Sequence, residues 1–213
     1  AMRLGRLARR WFAGVAMLIA ACTAAAAPAP VVLVLGDSLS AEYGLPRDTG
    51  WVKLLADRIA KDGAQYSVVN ASISGETTSG GRTRLPALLK QHRPAIVVIE
   101  LGGNDGLRGL PVNAMRDNLA AMIDECLNAG ARVLLVGVRV PPNYGREYAE
   151  RFAATFDELA RARKVALAPF LLDGFADRTE YFQPDRIHPN EKAQPLMLAN
   201  VWPHLKPLLA ARR

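Results

Sequence analysis

Cysteine is scarce, with two in 213 residues. Cys22 lies in an apolar N-terminal run, and Cys126 falls inside "NLAAMIDECLNAG", where helical spacing makes it a core position. That excludes a disulfide framework and argues against a cysteine nucleophile. Histidine is nearly as scarce, at three. A metal-dependent phosphoesterase would have to rely on Asp37, Asp105, Asp185 and His188, without any H-E-x-x-H motif. No G-x-S-x-G occurs, so the sharp strand-to-helix nucleophile elbow is excluded. No repeat, internal linker or low-complexity segment follows Pro30, which leaves residues 27–213 as one expected domain.

The charge is +7 over the whole chain, which by itself would suggest a polyanion partner. Arg3, Arg6, Arg9 and Arg10, however, supply four of those charges ahead of an uncharged run that ends in "TAAAAPAP". A basic start, the apolar "FAGVAMLIAA" and small residues at Ala24 and Ala26 make a secretory signal peptide over residues 1–26. Its removal leaves +3, and the nucleic-acid reading loses its support. The apolar run is shorter than the ~20 residues that span a bilayer. Export to the periplasm or beyond is therefore expected, with "IAAC" at 19–22 keeping open an alternative in which Cys22 becomes a lipidated N-terminus.

From Pro30 onward, apolar runs alternate with helical spacing. Strands are expected at 31–36, 66–71, 95–101, 132–138 and 165–170, and helices at 51–62, 79–91, 112–129, 146–163 and after Asn190. Such alternation means a parallel sheet covered on both faces, an α/β fold whose ligand crevice lies beyond the carboxyl ends of the strands. Pro203 and Pro207 are expected to shorten or kink the last helix.

The strand ends carry the small and polar residues: "GDS" at 36–38, "NASISGETTSGG" from Asn70, "GGNDG" from Gly102 and "RVPPNYG" from Arg139, with "DRIHPN" before the final helix. Serine-based acyl transfer needs a nucleophile, a base, an anion to orient the base, and oxyanion donors. Ser38 is a candidate nucleophile. His92 ends a helix and His204 sits among apolar residues of the last one, which points to packing or capping. His188 follows Asp185 by three residues, so one turn can set the carboxylate against the imidazole; an ordinary Asx turn before Pro189 fits the spacing equally well. Gly75 and Gly102–Gly103 permit close backbone approach, and Asn104 offers an amide donor or a turn-forming side chain.

"GDSLS", "NASISG", "LGGND" and "DRIHP", in that order, resemble the four signature blocks of the SGNH, or GDSL, hydrolase superfamily. The resemblance spans almost the whole chain after the leader. Within it, "VVNASISGET", "RLPALLKQHRP", "ELGGNDGLRG", "NYGREY" and "IHPNEKAQP" are similar to the bacterial periplasmic branch of thioesterase I, lysophospholipase L1 and arylesterase.

The resemblance implies a three-layer α/β/α sandwich, flavodoxin-like, with five parallel strands in the order 2-1-3-4-5. It also implies Ser38 as nucleophile, Asp185 and His188 as its triad partners, and the Ser38 amide, Gly75 amide and Asn104 side chain as the oxyanion hole. The activity implied is hydrolysis of carboxylic esters, thioesters or lysophospholipids through an acyl-serine, by a monomer that needs no cofactor or metal. A carbohydrate acetyl esterase with the same triad, or a noncatalytic periplasmic binding protein, is the alternative. Val140, Pro141 and Tyr144 offer an apolar wall for an acyl chain, though the loop serves equally as a rigid lead into the next helix.

Overall fold

Runs of valine, isoleucine and leucine too short for helices form the sheet, because β-branched side chains pack well on a pleated surface. In the computed structural model, which describes residues 28–210, these runs are β1 Val31–Gly36, β2 Ser67–Asn70, β3 Ile96–Glu100, β4 Arg132–Val136 and β5 Ala166–Ala168. All pair in parallel, in the order β2-β1-β3-β4-β5. The expected leader, its expected cleavage site after Ala26 and Cys22 lie outside the described residues.

Alternate residues of each central strand feed two cores, as the period of two requires. Leu33, Leu35, Val97, Ile99, Val133 and Leu135 pack on one face beneath α2 Thr78–His92, α4 Val112–Asn128 and α5 Arg146–Arg163. Val32, Val34, Ile96, Val98, Leu134 and Val136 pack on the other, beneath α1 Trp51–Lys61 and α6 Gln194–Ala210. Cys126 is fully buried in the first core. The result is the three-layer α/β/α arrangement.

The strand order reverses between β1 and β3. Their following loops leave toward opposite faces, which opens a crevice at the carboxyl edge of the sheet. Asp37 and Ser38 follow β1, and Asn104 follows β3.

Two local expectations change, the extent of the fifth strand and the shortness of the last helix, and one strand-end loop takes a helical form. The fifth strand is shorter than 165–170, since Pro169 has no N–H to continue the ladder. "GGNDG" forms a short helix, α3 Gly103–Leu107, launched from Gly102 at φ 118, a conformation that favours glycine. The last helix continues through Pro203 and Pro207 to Ala210. Both prolines face solvent, so water can serve the carbonyls they leave unbonded, while Met197, Val201, Trp202 and Leu205 anchor the opposite side.

Candidate active site

Ser38 opens a tight turn at the end of β1. The Asp37 carbonyl accepts from the Ala41 amide at 2.9 Å and from the Ser40 amide at 3.2 Å, while the Asp37 carboxylate accepts from the Leu39 amide at 3.0 Å. The Ser38 side chain is thereby set at the first position of a helix-like turn, half-buried and facing the crevice.

The loop before α6 supplies its partner. Arg186 takes a left-handed conformation, φ 58, which folds the chain so that Asp185 Oδ1 accepts from the amides of Ile187 and His188, each at 3.0 Å. The remaining oxygen, Oδ2, meets His188 Nδ1 at 2.6 Å, and His188 Nε2 lies 2.9 Å from Ser38 Oγ. Residues 150 positions apart are thus in line, and the Asx turn and the imidazole-orienting contact prove to be the same structure. The slight burial of Asp185 opposes its ionisation, but the His188 and Ile187 amides and the imidazole outweigh it and hold the carboxyl down to about 2.

Asn104 sits in the first turn of α3 with Nδ2 3.1 Å from Asp37 Oδ2 and 3.0 Å from the Glu76 carbonyl. Those two acceptors fix the amide plane and leave no doubt about which end is nitrogen. Gly75 occupies the adjoining turn at φ 81, and its carbonyl accepts from Arg108 Nη2 at 3.1 Å. Asp105 points away from this cluster and takes the Thr78 hydroxyl at 2.6 Å and amide at 2.9 Å, which locks α2 beside α3. Among the described residues, no three of His, Cys, Asp and Glu are grouped as metal ligands.

A cavity of about 630 Å³ adjoins Ser38, Asn104 and His188. Val140 and Pro141 line it, together with Leu39, Leu107, Val138, Phe170, Leu172, Phe182 and Ile187; Arg139, Asp177 and Arg186 supply charge. Tyr144 is not part of that lining. Its hydroxyl donates to the Leu107 carbonyl at 2.8 Å, so it braces the loop that forms one wall.

Several contributors are hidden in the sequence. Tyr43 lies with its ring centroid 4.3 Å from that of His188 although half its surface is exposed, and only the turn after Ser38 brings it there. Phe170 stands at the end of the expected fifth strand, and Leu172 and Phe182 come from a segment without helical or strand period. A visible hint was Leu107, an apolar residue stranded in the polar "GGNDGLRG".

A hydroxyl, an imidazole and a carboxylate in line at the carboxyl edge of a doubly wound sheet, beside an apolar cavity, define a hydrolase-type site of the α/β/α class. The chain belongs to the GDSL-like lipase/acylhydrolase family, which it matches over residues 34–195. It is 50% identical over 199 residues to "Esterase TesA" of Pseudomonas aeruginosa, covering 91% of this chain and 99% of that protein. It is 44% identical over 184 residues to "Thioesterase 1/protease 1/lysophospholipase L1" of Escherichia coli K12, covering 86% and 87%. The solved psychrotrophic esterase EstA of Pseudoalteromonas sp., inhibited by monoethylphosphonate, superposes with a TM-score of 0.80 at 42% identity over 85% of this chain and 99% of that one.

Proposed function

We propose that this protein is a serine esterase that cleaves acyl esters and thioesters through an acyl-serine formed on Ser38. The observation that carries the reading is the continuous contact Ser38 Oγ–His188 Nε2–Nδ1–Asp185 Oδ2, at 2.9 and 2.6 Å, opening onto the cavity. The names of the relatives, an esterase and a thioesterase/lysophospholipase, point the same way.

His188 takes the Ser38 proton as Oγ attacks the acyl carbonyl, while Asp185 holds the imidazole tautomer and stabilises the imidazolium. The tetrahedral oxyanion receives the Ser38 and Gly75 amides, and shares the Asn104 Nδ2 protons with Asp37 and Glu76. Collapse expels the alcohol or thiol with the proton from His188. Water, deprotonated by the same imidazole, then releases the acid. The apolar cavity accepts the acyl chain, which favours chains longer than acetyl and disfavours the carbohydrate acetyl esterase alternative.

Export with loss of residues 1–26 belongs to the same proposal and rests on the N-terminal sequence pattern. Among the described residues, no helix is long and apolar enough to cross a membrane. The mass of the mature N-terminus in a native-like host distinguishes cleavage after Ala26 from a lipidated Cys22.

The test of catalysis is hydrolysis of p-nitrophenyl esters of graded chain length, combined with phosphonate labelling. A single adduct on Ser38 with loss of activity is expected. Labelling elsewhere, or full activity in Ser38→Ala, overturns the assignment.

A further inference from the structure

Glu100 is fully buried at the end of β3, and nothing in the proposed mechanism uses it. Its Oε2 accepts the Ser40 hydroxyl at 2.6 Å and faces the Asp37 amide at 3.4 Å, whereas Oε1 has no hydrogen-bond partner. An unpartnered carboxyl oxygen in the interior is costly, and an apolar side chain would be easier to bury there. Stability alone therefore gives no account of a carboxyl at this position.

Ser40, only 1% exposed, is where three loops meet. It belongs to the turn after β1, and its hydroxyl reaches β3 through Glu100. Its carbonyl accepts from Asn70 Nδ2 at 2.8 Å, at the end of β2. The Asn70 side chain in turn accepts from the Ser72 amide at 3.1 Å, and the Ile73 amide donates to the Gly36 carbonyl at 3.0 Å, which draws the turn ending in Gly75 against β1. These three loops carry Ser38, Gly75 and Asn104.

Gly36 lies opposite Glu100 in the β1–β3 register. A Cβ on Gly36 would stand 2.7 Å from Ser40 Oγ and 2.8 Å from Glu100 Oε2, so the missing side chain is what lets the two groups meet. We infer that Ser40 and Glu100 are positioning residues, a buried hydroxyl–carboxyl pair that sets the spacing of the three loops presenting the oxyanion donors. The inference rests on the esterase reading above. Burial, reinforced by the neighbouring Asp37 charge, pushes the Glu100 carboxyl well above its ordinary value. Glu100 Oε2 serves as an acceptor for the Ser40 hydroxyl, a role that the amide oxygen of a glutamine reproduces.

The test measures kcat, KM and melting temperature on p-nitrophenyl butyrate for Ser40→Ala, Glu100→Gln and Glu100→Leu, each also in an Asn104→Ala background. Because misplacement of about an ångström costs up to ~100-fold in rate, Ser40→Ala should lose about tenfold to 100-fold in kcat, with KM within about twofold. Glu100→Leu should match it, and Glu100→Gln should recover most of the loss. In the Asn104→Ala background, where one of the positioned donors is already gone, Ser40→Ala should cost only a few-fold.

Full kcat in Ser40→Ala, the same factor lost with and without Asn104, or Glu100→Gln as slow as Glu100→Leu overturns the inference. If Glu100→Leu does not fold, the Ser40→Ala and Glu100→Gln comparisons decide. Ser38→Ala assayed in parallel keeps the two readings apart: its activity would sink the acyl-serine mechanism, whereas an inactive Ser38→Ala beside a fully active Ser40→Ala sinks only the positioning role.

Discussion

Asp185 Oδ2 meets His188 Nδ1 at 2.6 Å while its other oxygen accepts two backbone amides of the same turn. The carboxylate therefore orients the imidazole and is itself oriented by the chain. Asp185→Asn keeps an oxygen for the amides but can present N–H to Nδ1, which favours the wrong imidazole tautomer. A fall in kcat of ~10²–10⁴ is expected, with circular dichroism unchanged. A rate within a few-fold of the wild type would mean that Asp185 serves the turn alone.

Tyr43 rests against the same ring, 4.3 Å between centroids at an interplanar angle of 36°. Its contact is with the imidazole ring, so its effect should come from confining that ring. Tyr43→Ala should lower kcat several-fold and Tyr43→Phe should not, since ring contact of this kind contributes ~0.5–1.5 kcal/mol. Equal losses in both variants would assign the effect to the hydroxyl.

Much of this architecture was legible before the structure. Long apolar runs such as Val31–Leu35 and Ile96–Ile99 declare buried parallel strands because both faces of each are covered. The polar blocks at strand ends are legible for the converse reason: apolar residues would be expected there if the edge were only packing. What stayed hidden depends on three-dimensional closure. The spacing of Asp185 and His188 fitted an Asx turn as well as a paired carboxylate, and only the Arg186 conformation unites the two. Tyr144 looked like cavity wall because its neighbours are apolar, yet its hydroxyl is drawn to the Leu107 carbonyl. Pro203 and Pro207 looked like breakers because proline propensity says nothing of which side of a helix meets water.

Val140 and Tyr144 should consequently separate in their effects. Val140 lines the cavity, and a polar replacement such as Val140→Asn should depress kcat/KM more for octanoyl than for acetyl esters, at ~0.8 kcal/mol for each methylene it prevents from being buried. Tyr144→Phe removes only the bond to Leu107 and should depress all chain lengths alike. Identical chain-length profiles for the two variants would remove Val140 from the acyl wall.

Cys126 is fully buried on the core-facing side of α4, and burial, with Glu125 adding a smaller contribution, pushes its thiol up to about 12. Little thiolate forms at neutral pH, so the side chain should resist iodoacetamide in the native protein and react once the chain is unfolded in denaturant. Rapid native alkylation at Cys126, read by peptide mass, would show that α4 opens readily.

Asp37 should leave a signature in the pH dependence of stability. It is 2% exposed, and burial raises its carboxyl to about 6 against the opposing pull of the Leu39 amide, the Asn104 amide and the His188 charge. An unfolded aspartate loses its proton near 3.8, so between that value and about 6 the folded state holds a proton that the unfolded state has released. Stability must then fall as pH rises through this window. Glu100, also raised, contributes with the same sign. Asp185, held down to about 2, works in a separate window: its contribution is complete above 3.8 and is lost only as pH drops toward 2. Melting temperatures from about pH 4 to about pH 7 should therefore decline less steeply in Asp37→Asn than in the wild type, with the Glu100 part of the slope remaining. Parallel curves would mean that Asp37 is already ionised at the acid end of the range, and the Asn104 amide would then face a charged acceptor at every pH tested.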